Sequence, residues 1–375
     1  MADEELGGRV AGMLVDQAYA ANWEGRYQEA LAAAARAVEA AEQLDDPVLL
    51  VRALNVEATS LRLLGDLTGA LARYTRVLGV SQDPGTSGRL DDLRAASAVA
   101  EAHWAWVECA RHMAGIPVRE LFGVLDAAQR WMAATGHRDW RAGVLGQRAL
   151  VHEALGEKDA AIAAAQEALA LKSQHPDTPG YPLGTYRYWL GDLLREAGRA
   201  AEAAPHYQAI LDDASSGQWG RRIAHKGLAW CALNAGDLAA ARREARTAVL
   251  LAEPLGDNAL CLSLEVLAAV CRADGDLEGA WQAATRFLEV AGRVGGLYRP
   301  YEAALMAVDI ALDRGDLAAA EQLLAEIDDH AAALDAGTGT TTRAKEGGRP
   351  SKPKSGSGRS TWLSAGLAAL LVAVG

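Results

Sequence analysis

The sequence has few of the features that mark enzymes or secreted scaffolds. Of its 375 residues only two are Phe and 6% are aromatic, while half are apolar, carried largely by Ala and Leu. That balance favours helix and disfavours a β-rich architecture. The four cysteines, Cys109, Cys231, Cys261 and Cys271, form no CxxC pair, and no basic-then-apolar leader follows Met1. A secreted disulfide scaffold is therefore not expected, and a reducing, cytoplasmic compartment is. There is no GxxxxGK[ST] phosphate loop, no GxGxxG turn after a strand and no GxSxG elbow. His152–Glu153 opens like the zinc-protease pattern HExxH, but Gly156 stands where the second histidine is needed, so a ligand is missing. No enzyme and no cofactor is expected.

Charge is unevenly distributed. Residues 1–336 hold 31 basic and 48 acidic side chains, a balance of -17, and residues 337–375 hold six basic and one acidic, +5, against -12 for the whole. An acidic body repels phosphate backbones, so no nucleic-acid partner is expected for it. Arg outnumbers Lys 31 to 6, and with the abundant Ala this points to a GC-rich bacterial genome.

The organising signal is an internal repeat. The pattern Gly, four residues, Ala recurs as GRYQEA (25–30), GDLTGA (65–70), GEKDAA (156–161), GRAAEA (198–203), GDLAAA (236–241), GDLEGA (275–280) and GDLAAA (315–320), with GIPVRE (115–120) as a weaker copy. The glycines are spaced 40, 50, 41, 42, 38, 39 and 40 residues apart. A glycine that closes one helix in a left-handed cap, followed by an Asp that accepts from the next helix's free N–H groups, predicts a helical hairpin. Antiparallel helices that cross closely need small side chains. Five residues after the glycine stand Ala30, Ala70, Ala161, Ala203, Ala241, Ala280 and Ala320, with Glu120 departing; seven before it stand Ala18, Ala58, Ala149, Gly191, Ala229 and Ala268, with Glu108 and Val308 departing. Twelve after it all eight residues are apolar, from Ala37 and Val77 through Ala127 to Phe287 and Ile327.

This register, with Trp104, Leu190, Tyr74 and Tyr207 at bulky positions, resembles tetratricopeptide repeats, in the longer variant seen in MalT-like regulators. The resemblance spans roughly residues 5–335. It implies an all-α fold of eight antiparallel helix pairs over residues 1–336, stacked as a right-handed superhelical solenoid whose first helices line a concave face. Two enlarged links, 81–92 and 173–185, are rich in turn formers and are expected to project from one edge as tolerated insertions or docking loops.

The resemblance also implies a function: a non-enzymatic scaffold or adaptor for a protein or peptide partner, with a regulatory sensor module acting in trans as the alternative. Concave positions fall about 3, 6 and 10 residues before each turn glycine. Carried onto this chain they give Tyr188, Asp192 and Arg195; Lys226, Trp230 and Leu233; Glu265, Ala269 and Arg272; with Arg62 and His112 from earlier pairs. Aromatic platforms among cations suit an extended acidic or aromatic peptide. The densest cluster of reactive types, EAHWAWVECARHMAG (101–115), offers Cys109 and His112 on one face and His103 about half a turn away. Core packing explains it better than a metal, and no metal site is expected.

After Ala336 the pattern stops. Residues 337–360 read as a basic, Gly/Ser/Thr-rich disordered linker, and 361–375 (TWLSAGLAALLVAVG) are uncharged and apolar. As a helix those fifteen residues span about 22 Å, short of a roughly 30 Å hydrocarbon core. A short membrane anchor, a peptide docking on a solenoid and a tail without selected function are the three readings. GGRPSKPK (347–354) lacks the leading Arg of an AT-hook.

Overall fold

The computed structural model describes residues 2–24, 26–87, 89–90, 92–111, 116–135, 140–176, 181–294 and 298–337. Apart from Gly337, which ends the last helix, the linker and apolar tail lie outside these residues, as do Gly25, His112 and Gly115. Among the described residues there is no strand. The chain divides into two compact units, one up to Tyr186 and one from Arg187 onward.

In the first unit α1 (Ala2–Trp23) packs on α2 (Tyr27–Gln43) and α3 (Pro47–Leu63) on α4 (Leu67–Gln82); after the short α5 (Pro84–Ser87), α6 (Leu93–Ala110) pairs with α7 (Leu121–Thr135) and α8 (Arg141–Ala154) with α9 (Lys158–Gln174). Helix α10 (Leu183–Glu196) begins here and runs into the second unit. There it is followed by α11 (Ala200–Asp212); then α12 (Gln218–Asn234) pairs with α13 (Leu238–Ala252), α14 (Asp257–Ala273) with α15 (Leu277–Val294), and α16 (Tyr298–Asp313) with α17 (Leu317–Gly337). Among the described residues the helices make up the expected eight pairs.

The turns form as their residues dictate. Gly65, Gly156, Gly198, Gly236, Gly275 and Gly315 all adopt φ between +74° and +89°, a region that only glycine enters without strain. The next N–H reaches five residues back, as from Asp66 to the Leu61 carbonyl at 2.9 Å and from Asp276 to Cys271 at 3.0 Å, which closes the helix end. The Asp side chain then caps the following helix: Asp66 accepts from Gly69 N at 2.8 Å, Asp237 from Ala240 N at 2.9 Å, Asp276 from Gly279 N at 2.9 Å and Asp316 from Ala319 N at 3.1 Å. Each such cap stabilises by about 1 kcal/mol.

The small-residue register makes the helix crossings. The seven alanines after the glycines are buried, as are Ala18, Ala58, Ala149, Ala229 and Ala268 before them. At Gly191 the neighbour is the Tyr207 ring: a Cβ on Gly191 would stand 2.9 Å from its Cζ, and one on Gly227 would stand 2.3 Å from its Cε1. One aromatic ring of α11 is thus wedged between the backbones of α10 and α12.

The third pair departs, as Glu108 and Glu120 foreshadow. In its second helix, α7, Leu121, Leu125, Ala128 and Met132 are buried, and Ala127 is only half-buried. Its inward stripe therefore falls one residue later than in the other pairs. A 3-10 turn over Val118–Glu120 leads into α7, and a carboxylate cannot fill the small buried site, so Leu121 takes its place.

Neither enlarged link simply projects. In the first, Thr86 Oγ1 donates to the Val80 carbonyl at 2.6 Å and Leu90 is fully buried. In the second, residues 177–180 lie outside the described part, but Tyr181 turns inward, its ring 4.6 Å from that of Trp104. An apolar or aromatic residue in each link gains more from burial than from solvent.

Candidate functional site

Helices are amphipathic on a 3.6-residue period, so positions 3, 6, 10 and 14 before a turn glycine share one face. In the second unit this rule brings α10 and α12 together. Asp192 is the centre. Lys226 Nζ lies 3.7 Å from its Oδ2 and Arg195 Nε 3.6 Å from its Oδ1. The Tyr207 hydroxyl donates to Oδ1 at 2.5 Å, and the Tyr188 hydroxyl bonds the same carboxylate. Burial works against the Asp192 charge, but the two cations and two hydroxyls outweigh it and hold its carboxyl below the usual range. Lys226 is itself buried, and Asp192 keeps its ammonium above the ordinary lysine range despite that burial.

Aromatic rings complete the cluster. Lys226 Nζ stands 5.4 Å from the Tyr188 ring centroid, and the Arg195 guanidinium 5.7 Å from that of Trp230. Arg195 also bonds Glu196 at 3.0 Å. Tyr188 meets Trp219 edge-on at 6.3 Å, and the Arg222 guanidinium stands 5.9 Å from the Trp219 centroid. Glu265, on α14, adds an attractive field at Lys226. Arg272 lies apart from this cluster, bonded to Asp309 at 3.2 Å and to Asp313 at 2.5 Å.

Five of the residues expected from the sequence, Tyr188, Asp192, Arg195, Lys226 and Trp230, therefore form one continuous cluster. Two of its cations are not bare, since Arg195 and Lys226 both face Asp192; Arg272, outside the cluster, faces Asp309 and Asp313. Trp219 and Arg222 were missed. Arg222 stands 14 residues before Gly236, one helical turn beyond the last position considered.

The first unit carries a second polar strip on α1, α3 and α6. Asn55 donates to Glu101 at 2.9 Å and to the Tyr19 hydroxyl at 3.2 Å; Thr59 bonds Tyr74 at 3.1 Å and Glu101 at 3.5 Å. Glu101 makes no ion pair with a described residue, and burial pushes its carboxyl above the ordinary range despite those donors and the more distant Arg62. Further along, Arg62 pairs with Glu108 at 3.2 Å, and Tyr181 donates to the same carboxylate at 2.6 Å. Burial pushes the Cys109 thiol up to about 12. His103 is buried with its Nδ1 2.8 Å from the Val99 carbonyl. Neither residue has the geometry of a ligand, and no group of three His, Cys, Asp or Glu among the described residues is placed to hold a metal. Nor is any described helix long and apolar enough to cross a membrane.

No protein-family model matches this chain, and no curated protein sequence matches it. Solved structures do. A Rap protein complexed with competence and sporulation factor shares 14% identity over 87% of this chain and 93% of that one, with a TM-score of 0.58. The apo quorum sensor NprR from B. thuringiensis shares 14% over 86% and 94%, TM-score 0.52. A thermophilic TPR protein, TTC0263 of Thermus thermophilus, shares 26% over 58% of this chain and 98% of that one, TM-score 0.41. The glycine turns, the small-residue crossings and the likeness to Rap and NprR agree on the fold. This chain is built of tetratricopeptide-like helical repeats.

Proposed function

We propose that this chain is a non-enzymatic protein-interaction module that holds an extended peptide segment of a partner along the first-helix face of its second unit. The observation that carries the reading is the meeting of Tyr188, Asp192, Arg195, Lys226 and Trp230 in one polar and aromatic strip. Aromatic rings held by charged neighbours lose little conformational entropy on binding and present area together with hydrogen-bonding capacity. Because Asp192 already answers Arg195 and Lys226, we assign these three to fixing the rings, and the contact surface to Tyr188, Trp219 and Trp230. Arg272 is assigned a structural role through Asp309 and Asp313.

A second reading rests on the fold neighbours, one complexed with competence and sporulation factor and another named a quorum sensor: the module acts in trans as a signal-responsive regulator. The test is selection of peptides on the intact chain, followed by hydrogen-exchange mapping. Protection confined to α10, α12 and α14 is the expected result, and protection on the second helices of the pairs would sink the assignment. Peptides that bind without changing exchange elsewhere favour the scaffold; widespread changes favour the regulator.

A further inference from the structure

Seven of the eight first helices bury the residue that stands twelve positions before the turn glycine. Ala53, His103, Val144, Tyr186, Ala224, Ser263 and Ala303 are each 3% exposed or less, whereas Met13, at the same position of α1, is 71% exposed. Each of the seven follows a second helix in the chain, and among the described residues no helix precedes α1. Met13 belongs to a stripe. Leu6 and Val10 are about half exposed, and the exposed Gln17 and Ala20 continue the same side of the helix. From residue 6 to residue 20 that side runs about 21 Å, and none of its five residues is charged. Large apolar side chains left in water at a position that the later helices bury mark a seat for another helix.

Residues 361–375 have the pattern that such a seat takes. Ala365, Ala369, Val372 and Ala373 repeat the spacing of Ala30, Ala34, Ala37 and Val38 in α2 and of Ala241, Ala245, Ala248 and Val249 in α13. Those eight residues are buried, and α2 and α13 each pack on the first helix that follows them. The segment carries no charge, which suits an uncharged stripe, and as a helix its fifteen residues span about 22 Å, the length of that stripe. Left in water it would expose a contiguous apolar surface.

We propose that residues 361–375 dock as a helix on the Leu6, Val10 and Met13 stripe of α1, in the place that α2 takes on α3 and α13 on α14. The proposal stands apart from the peptide reading, since it concerns the first unit and a different side of the first helix. Small residues at Ala365, Ala369 and Ala373 let the two helices approach closely, and the longer Val10 and Met13 side chains fill the spaces between them. The docked segment extends the ladder by one helix at its first pair and covers the apolar surface that this pair leaves open.

The test uses the full chain with photo-methionine in place of methionine, so that the exposed Met13 side chain reports what lies on it. After illumination and trypsin, position 13 falls in the peptide 10–26 and the apolar segment in the peptide 360–375. The expected crosslink joins these two peptides. Mixing light and isotope-heavy chains shows whether the segment comes from the same chain or from another copy, and either source supports the docking. Val10→Asp and Ala369→Asp should each lower the crosslink at least five-fold and speed amide exchange in residues 361–375 at least ten-fold. Ala369→Asp alters none of the described helices, so it decides the matter should Val10→Asp fail to fold. A crosslink unchanged in both variants overturns the inference. So does a Met13 side chain joined to water alone, or to peptide 10–26 of another copy, which would assign the stripe to a pairing of α1 with itself. Retention of the full chain on phosphatidylglycerol vesicles, with the crosslink absent, overturns it in favour of a membrane contact.

Discussion

Glu101 in the first unit and Asp192 in the second are both carboxylates among first helices, surrounded by hydroxyls and rings, but they are stabilised by different partners. Glu101 has the amide of Asn55 and the hydroxyl of Thr59, and burial drives its carboxyl upward. Asp192 has two cations and two tyrosine hydroxyls, which overcome burial and drive it downward. Neutral donors satisfy a carboxylate's lone pairs without offsetting its desolvation, whereas cations do both. Burial alone therefore does not set the direction of the shift.

The largest expected effect comes from removing the charge that the second cluster is built on. Asp192→Asn leaves Arg195 and Lys226 without their shared partner and should destabilise by about 3–5 kcal/mol, measured by denaturant unfolding. A loss below about 1 kcal/mol would show that the two clusters do not differ in this way. Next comes Gly227→Ala, whose methyl would meet the Tyr207 ring at 2.3 Å; overpacking should cost about 1–3 kcal/mol and loosen the Tyr207–Asp192 bond. Ala241→Leu and Ala280→Leu, at buried helix crossings, should cost a similar amount, and unchanged melting would mean that the crossings are misassigned. Asn55→Ala removes the shorter of the Glu101 donors and should cost about 1–2 kcal/mol.

The smallest effect sharpens the contrast most. Glu101 carries a raised folded pKa, so its contribution is fully present below the unfolded carboxyl range and is lost as pH rises through the folded value. Asp192 is depressed, so its contribution is present above the unfolded range and is lost as pH falls through the folded value. Glu101→Gln should thus be neutral or stabilising at neutral pH, within about 1 kcal/mol, and should flatten the stability profile on the mildly acidic side. Asp192→Asn should flatten it on the strongly acidic side. Profiles that change in the same pH window for both variants would erase the distinction.

Much of the fold is legible in the sequence because its causes are local. A left-handed glycine, an Asp cap and a methyl-sized crossing residue each need only a few neighbours, and each recurs. The third pair is less legible, since Glu120 shows that the usual site is closed but not that Leu121 takes it over. The face of the first helices follows from helical period, and period alone places Asp192, Arg195, Lys226 and Trp230 together. It does not reveal that the two cations turn toward the acid, because that depends on rotamers and on the Tyr207 ring. The offsets that found these residues also give Tyr19, Asn55 and Thr59 when applied to the first two pairs, so that strip was accessible. Tyr181 was not: it lies in a link between helices, where no period operates.

The capped turn bears on how such a chain can change length. Outside the third pair the interval between glycine and crossing alanine is fixed, and where the turn is capped the hydrogen bonds of both helix ends close inside it. Intervals between successive glycines nonetheless vary from 38 to 50 residues, and the largest described addition is α5, in the link from a second helix to the next first helix. Insertions and losses are therefore absorbed at one rim of the ladder while the other keeps its spelling. Swapping whole periods preserves which residues share a face; inserting within a turn would break the caps of two helices at once.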